Sequence, residues 1–162
     1  MAPENVHAYV IGEHGDSQVP VISSAHIAGI PLEVFCCEQG MPYESDALKT
    51  IASDTRTAGF EIQQAKGATY YGIGAALVRI VAAILRDENA VLTVSALVPE
   101  SFHVGEVCLS LPRVINRQGI ARVLSIPLND DERRGLQASA ETLKHHIAAL
   151  DLGEYNTEPS GS

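Results

Sequence analysis

The sequence contains no apolar run long enough to cross a membrane as a helix. Its first residues carry no basic stretch followed by an apolar one, so nothing marks it for secretion. Cysteine is scarce: Cys36 and Cys37 are adjacent and Cys108 stands apart. An odd count without framework spacing argues against a disulfide scaffold and for reduced thiols in a cytoplasm. No Cys/His grouping has zinc-ligand spacing, so no metal site is expected. Positive charge is also short, with 11 Lys and Arg against 20 Asp and Glu and a formal charge of −9. That balance disfavours nucleic acid and anionic membranes as partners. There is no internal repeat. The strand–helix–strand crossovers of a doubly wound dinucleotide-binding unit are not found either.

What is present suits one soluble globular domain of 162 residues, 46% hydrophobic and 19% charged. A domain of about 150 residues buries roughly 70% of the surface its unfolded chain exposes, enough for one core. Residues 6–11 and 18–22 read as strands around a glycine-rich turn, and 31–39 as a short helix. From 46 to 66, Leu48, Ile51, Ala52, Thr55, Ala58, Ile62 and Ala65 follow helical spacing. From 72 to 88, Ile73, Ala76, Leu77, Ile80, Val81, Ile84 and Leu85 form one broad apolar stripe expected to face a core. The continuous apolar run 91–98 predicts a buried strand. Val107, Leu109 and Leu111 alternate with Cys108 and Ser110, which predicts a half-buried strand ending at Pro112. Residues 119–125 are expected to pair with it through a turn at 116–119. Asn129 followed by Glu132 has capping-box spacing and opens a last helix carrying Leu136, Ala140, Leu143, Ile147 and Leu150, stopped near Gly153. Residues 156–162 read as a disordered polar tail. Strands set apart from long helices indicate an α+β fold, mainly antiparallel strands with long packed helices.

The most informative stretch is Gly12-Glu13-His14-Gly15-Asp16-Ser17, directly after the first strand. An imidazole between glycines and carboxylates at a strand end suits general acid–base chemistry, because unperturbed imidazole titrates at about 6.5. Spacing alone leaves a structural turn histidine as an equal reading. Asp16 is expected to hold the turn by side-chain-to-backbone hydrogen bonds. Ser17 beside His14 and Asp16 does not make a hydrolase, since triads are defined by geometry and no Gly-x-Ser-x-Gly elbow is present. Gly72-Ile73-Gly74 is a poor phosphate loop, because the segment before it reads as helix and no third glycine follows. His145 and His146 read as a polar face near the favourable C-terminal end of the last helix.

Four ordered motifs then converge. Asn5-Val6-His7-Ala8-Tyr9-Val10-Ile11-Gly12-Glu13-His14-Gly15-Asp16-Ser17 resembles the active-site segment of bacterial L-lactate dehydrogenases. Lys66-Gly67-Ala68-Thr69-Tyr70-Tyr71-Gly72-Ile73-Gly74, Val91-Leu92-Thr93-Val94-Ser95 and Leu109-Ser110-Leu111-Pro112-Arg113 resemble later segments of the same family, in the same order. The likeness runs from about residue 3 to 150 and covers only the C-terminal half of such enzymes. The implied organisation is a lactate/malate dehydrogenase C-terminal domain over 1–155, with the N-terminal NAD-binding domain absent.

The resemblance implies site roles. His14 exchanges a proton with the substrate oxygen, Thr69 lines the substrate pocket near its methyl end, and Ile73 packs beside the nicotinamide of NAD. His7 matches a histidine that helps bind the effector fructose 1,6-bisphosphate at a subunit interface; the alternative is a strand histidine facing solvent. Helix-start packing is the alternative for Thr69 and Ile73, and the family likeness favours the pocket roles. The family's orienting aspartate and substrate-binding arginines lie upstream of residue 1. Phe60 stands where many relatives carry tyrosine, and residues 100–106 depart from the usual loop. The expected function is the substrate-binding, catalytic half of an NAD-dependent L-lactate dehydrogenase, interconverting lactate and pyruvate, oligomeric and inactive as an isolated domain. A malate dehydrogenase domain and a non-catalytic assembly module are the alternatives.

Overall fold

In a computed structural model, residues 2–150 are described; the expected stop near Gly153 and the tail 156–162 lie outside them. A single 3-10 turn, Pro3–Asn5, precedes strand β1 (Val6–Ile11). Strands β2 (Val19–Ile27) and β3 (Ile30–Pro31) complete an antiparallel sheet in the order β1-β2-β3. The short helix α1 (Leu32–Glu38), two long helices α2 (Ser45–Lys66) and α3 (Tyr71–Leu85), and strand β4 (Ala90–Leu97) follow. A second antiparallel sheet, order β4-β5-β6, is completed by β5 (Cys108–Asn116) and β6 (Gly119–Val123), and α4 (Asp130–Ala149) closes the described chain. The α+β architecture with antiparallel strands and long helices is the one the sequence predicts. No helix of the described residues is long and apolar enough to cross a membrane.

The two sheets meet where Gly12, just past β1, bridges Ser110 of β5. Around that seam lies the core: Ile11, Val19, Val21, Leu109, Leu111, Leu136 and Ala140 are all buried. Helix α4 packs at the seam through Leu136, Ser139 and Ala140, with Gly135 beside them. A Cβ on Gly135 would lie 3.0 Å from a Val19 methyl, tighter than usual, so glycine eases the close approach of helix and strand. The expected capping box is present. Asn129 accepts from the Glu132 N–H at 2.8 Å and Glu132 accepts from the Asn129 N–H at 2.9 Å. The buried Glu132 carboxylate also accepts from the Ser23 N–H at 2.9 Å and the Ser23 hydroxyl at 2.5 Å, which fastens the start of α4 to β2.

Several expectations are corrected. The strand through Pro112 does not end there but runs to Asn116 as the middle strand of its sheet. A residue's N–H and C=O point to the same side of a strand, and the Pro112 carbonyl accepts from Leu124, just beyond the end of β6. The missing N–H therefore falls where no ladder partner is needed. The run 91–98 is not a buried strand: β4 alternates between half-buried and exposed residues, with Val91 and Leu97 exposed. β2 extends past residue 22 to Ile27, held by its register with β1, and β6 stops at Val123. α3 ends at Leu85, followed by positive φ at Asp87 and Asn89, which takes 86–88 out of the helix. Its apolar stripe does not face a core. Only Ala83 is buried, and Ile73, Leu77, Val78, Val81 and Leu85 are exposed. α2 has no buried residue, Phe60 included, and ends at Gly67 in the left-handed region (φ 79), whose N–H caps the Gln63 carbonyl at 2.7 Å.

Candidate functional site

The glycine-rich turn after β1 is built by contacts from distant parts of the chain. Gly12 leaves β1 at φ 94, a conformation that favours glycine, and exchanges two backbone hydrogen bonds of 2.9 Å with Ser110. A Cβ there would also lie 2.6 Å from the Ser139 hydroxyl oxygen, so the position is closed to a side chain twice over. The Glu13 N–H donates to Ser139 Oγ at 2.6 Å. The Ser17 hydroxyl donates to the Glu13 carboxylate and lies 3.3 Å from Ser139 Oγ. A bond from Gln18 N–H to the Gly15 carbonyl, 3.1 Å, closes the turn. The role expected of Asp16 is thus taken by Glu13 and Ser17: Asp16 is exposed and its side chain makes no hydrogen bond among the described residues. Glu13 has one more methylene than aspartate, and the turn brings Ser17 back to it.

The turn presents His14, exposed, at a depression of about 560 Å³. Ser95 and Leu97 from the end of β4, Cys108 and Ser110 from β5, and Leu143 from α4 line it with His14. The His14 ring makes no hydrogen bond among the described residues, so both ring nitrogens are open to a ligand or to an orienting group. An imidazole on a braced backbone beside a hollow can give or take a proton from a bound molecule. The wall of the hollow is itself fixed. Arg113, 4% exposed, donates from Nε to the Val94 carbonyl at 3.2 Å and from one terminal nitrogen to Ala96 and Leu97 at 2.9 and 3.2 Å. Burial pushes the Arg113 pKa below the usual guanidinium value. The three carbonyls replace water around the buried guanidinium and hold the end of β4 in place.

The other residues singled out in the sequence lie apart. Thr69 is exposed in the link 67–70 between α2 and α3, and Ile73, in the first turn of α3, is 52% exposed; neither lines the His14 depression. His7 is exposed on β1 opposite His26 of β2, and their rings stack with centroids 5.0 Å apart and planes at 17°. His26 was not legible as its partner, because the sequence places residue 26 beyond the end of β2. Ser139 and Arg113 were missed as well. The signal for Ser139 is the pair of small residues Gly135 and Ser139 one helical turn apart, beside the buried Leu136 and Ala140. Two further hollows, about 650 Å³ between β2, α2 and α4 and about 720 Å³ beside Phe102 and Arg133, contain none of His7, His14, Thr69 or Ile73. Among the described residues, no three His, Cys, Asp or Glu side chains group as a metal site.

Comparison with known proteins gives one consistent result. A family model described as lactate/malate dehydrogenase, alpha/beta C-terminal domain, matches residues 1–151. The chain is 49% identical over 150 residues to an L-lactate dehydrogenase of Thermus aquaticus, covering 93% of this chain and 48% of that protein. It is 46% identical to a probable L-lactate dehydrogenase of Schizosaccharomyces pombe, covering 93% of this chain and 45% of that one. Among solved structures, the minor L-lactate dehydrogenase of Enterococcus mundtii superposes with a TM-score of 0.85 at 32% identity, covering 94% of this chain and 48% of that one. A lactate dehydrogenase from a Medee basin deep-sea metagenome library superposes with a TM-score of 0.83 at 37% identity, covering 91% and 47%. The chain spans about half the length of the curated relatives it matches.

Proposed function

The chain belongs to the lactate/malate dehydrogenase C-terminal domain family, and on that premise we propose that it supplies the substrate-binding and proton-transfer half of an NAD-dependent L-lactate dehydrogenase. The observation that carries this reading is His14: an exposed imidazole with both ring nitrogens open, on a turn braced by Ser110 and Ser139, at the edge of a hollow. His14 accepts the hydroxyl proton at a ring nitrogen when L-lactate is oxidised and returns it when pyruvate is reduced. Imidazole serves both directions near neutral pH.

The described residues do not by themselves fit a dinucleotide. Both sheets are antiparallel, and the Gly72-Ile73-Gly74 segment follows the link 67–70 rather than a strand. NAD would be held by a dinucleotide-binding half outside this chain and would serve there as the hydride acceptor in lactate oxidation. This chain offers Ile73 as an apolar surface for the nicotinamide and Thr69 for the methyl end of the substrate, once that half closes over the exposed start of α3. His7 contributes to a fructose 1,6-bisphosphate site between subunits of a homo-oligomer. The three free cysteines fit a cytoplasmic location. Glu13 favours lactate over malate, since malate dehydrogenases more often carry glycine there; a malate dehydrogenase domain is the second reading.

The test joins this chain to the dinucleotide-binding half of the Thermus aquaticus relative. The expected result is NAD-dependent lactate oxidation, with pyruvate preferred over oxaloacetate in reverse. His14→Asn lowers kcat by about 10³-fold with NAD binding kept. Unchanged turnover in that variant refutes His14 as the acid–base. Preference for oxaloacetate moves the assignment to malate, and absence of turnover leaves an assembly module. The isolated chain is expected to show no measurable lactate oxidation with NAD in a purified assay.

A further inference from the structure

We infer that Ser139 is a positioning residue for His14: its buried hydroxyl clamps the backbone from which the imidazole is presented. The inference rests on the acid–base reading of His14. Ser139 is 0% exposed and sits on α4, while the turn it holds leaves β1. Its oxygen accepts from the N–H of Glu13, the residue directly before His14, at 2.6 Å. It also lies 3.3 Å from the hydroxyl of Ser17, three residues after His14, and the Ser17 hydroxyl bonds the Glu13 carboxylate. One buried oxygen therefore ties down both sides of His14 while leaving the ring free.

Two geometric facts show that the clamp is specific to this place. The backbone at Gly12 approaches so closely that a Cβ there would meet Ser139 Oγ at 2.6 Å. Any larger group at 139 displaces the turn, and any smaller one leaves the Glu13 N–H without its acceptor, which is costly in a partly buried site. α4 is itself anchored one end away through Glu132 on Ser23, and Gly135 seats the helix against Val19. The hydroxyl is thus delivered from a fixed support. The direction of the Gly12–Glu13 peptide, from which the chain runs on into His14, is set by α4 rather than by the turn's own sequence. Misplacement of a catalytic group by about 1 Å lowers rates by about 10²-fold, so the consequence for turnover is large.

The test uses the 162-residue chain itself, labelled for NMR, with Ser139→Ala. The Glu13 amide is expected to exchange with solvent about tenfold faster, and the His14 ring to show increased side-chain motion in relaxation measurements. The amides of Leu109 and Leu111 in β5 stay within about twofold of the parent chain. Acceleration of core and turn amides in step makes Ser139 an ordinary packing residue and overturns the inference, as does an unchanged Glu13 amide. Should the alanine variant fail to fold, Ser17→Ala removes the weaker arm of the clamp from a half-buried site. It is expected to loosen His14 with the core amides unchanged, and an unmoved His14 ring there overturns the inference. Failure of the acid–base reading shows separately, as unaffected turnover of His14→Asn in the joined enzyme, and leaves these relaxation measurements unchanged.

Discussion

The seam between the two sheets and the α2–α3 pair are both rich in apolar residues, yet they use them in opposite ways. At the seam, Ile11, Leu109 and Leu111 are at most 1% exposed, and even the polar Ser139 and Glu132 are buried with partners. In the α2–α3 pair, a helix of 22 residues buries none and one of 15 buries only Ala83, leaving Val78 71% and Leu85 74% exposed. An amphipathic pattern specifies which face of a helix prefers to leave water, but not what covers it. The first region finds its cover within the chain. The second leaves apolar side chains exposed, Leu77, Val78, Val81 and Leu85 of α3 among them. His14 stands on the self-supporting region, whereas Thr69 and Ile73 stand on the exposed one.

Mutations break or sharpen this contrast. The largest effect is expected at the seam, where Leu109→Ala destabilises the chain by about 2–5 kcal/mol in denaturant unfolding because the buried site cannot fully collapse; a loss under about 1 kcal/mol would place the core elsewhere. Glu132→Ala removes the reciprocal arm of the capping box, the acceptor of the Asn129 N–H, and leaves both Ser23 groups without an acceptor, for an expected loss of about 2 kcal/mol by the same measurement. At Gly67, alanine meets no neighbouring atom but must adopt φ 79. The expected cost is about 1 kcal/mol, with helical circular dichroism lost at the end of α2. The smallest effect on stability belongs to Val78→Ser, within about 0.5 kcal/mol. The same change is expected to weaken self-association in sedimentation velocity, and a stability loss equal to that of Leu109→Ala would erase the contrast between the two regions.

How much could be read from the sequence follows the same division. β1, the turn, the β5–β6 hairpin at 116–119 and the capping box of α4 are written in local signals, and each stands where the sequence predicts it. Local rules failed where long-range pairing decides. Pro112 is a strand breaker by rule, but the end of β6 removes the ladder bond it lacks. β2 continues through the polar Ser23 and Ser24 because Glu132, far along the chain, satisfies Ser23. For the candidate site, residue type and spacing leave His14 level with a structural turn histidine, and the ordered family motifs are what single it out. Ser139 was hidden because a small polar residue on a helix announces nothing until the helix is seen against Gly12.

The hydrogen bond from Glu13 to Ser139 spans 126 residues. During synthesis the ribosome makes the histidine turn near the beginning of this chain and its clamp near the end. Closing so long a loop is entropically slow compared with forming the neighbouring hairpins. The turn is therefore expected to gain its Ser139 contact only after α4 has emerged and docked, so nascent chains that stop short of Ser139 carry the His14 motif without that brace.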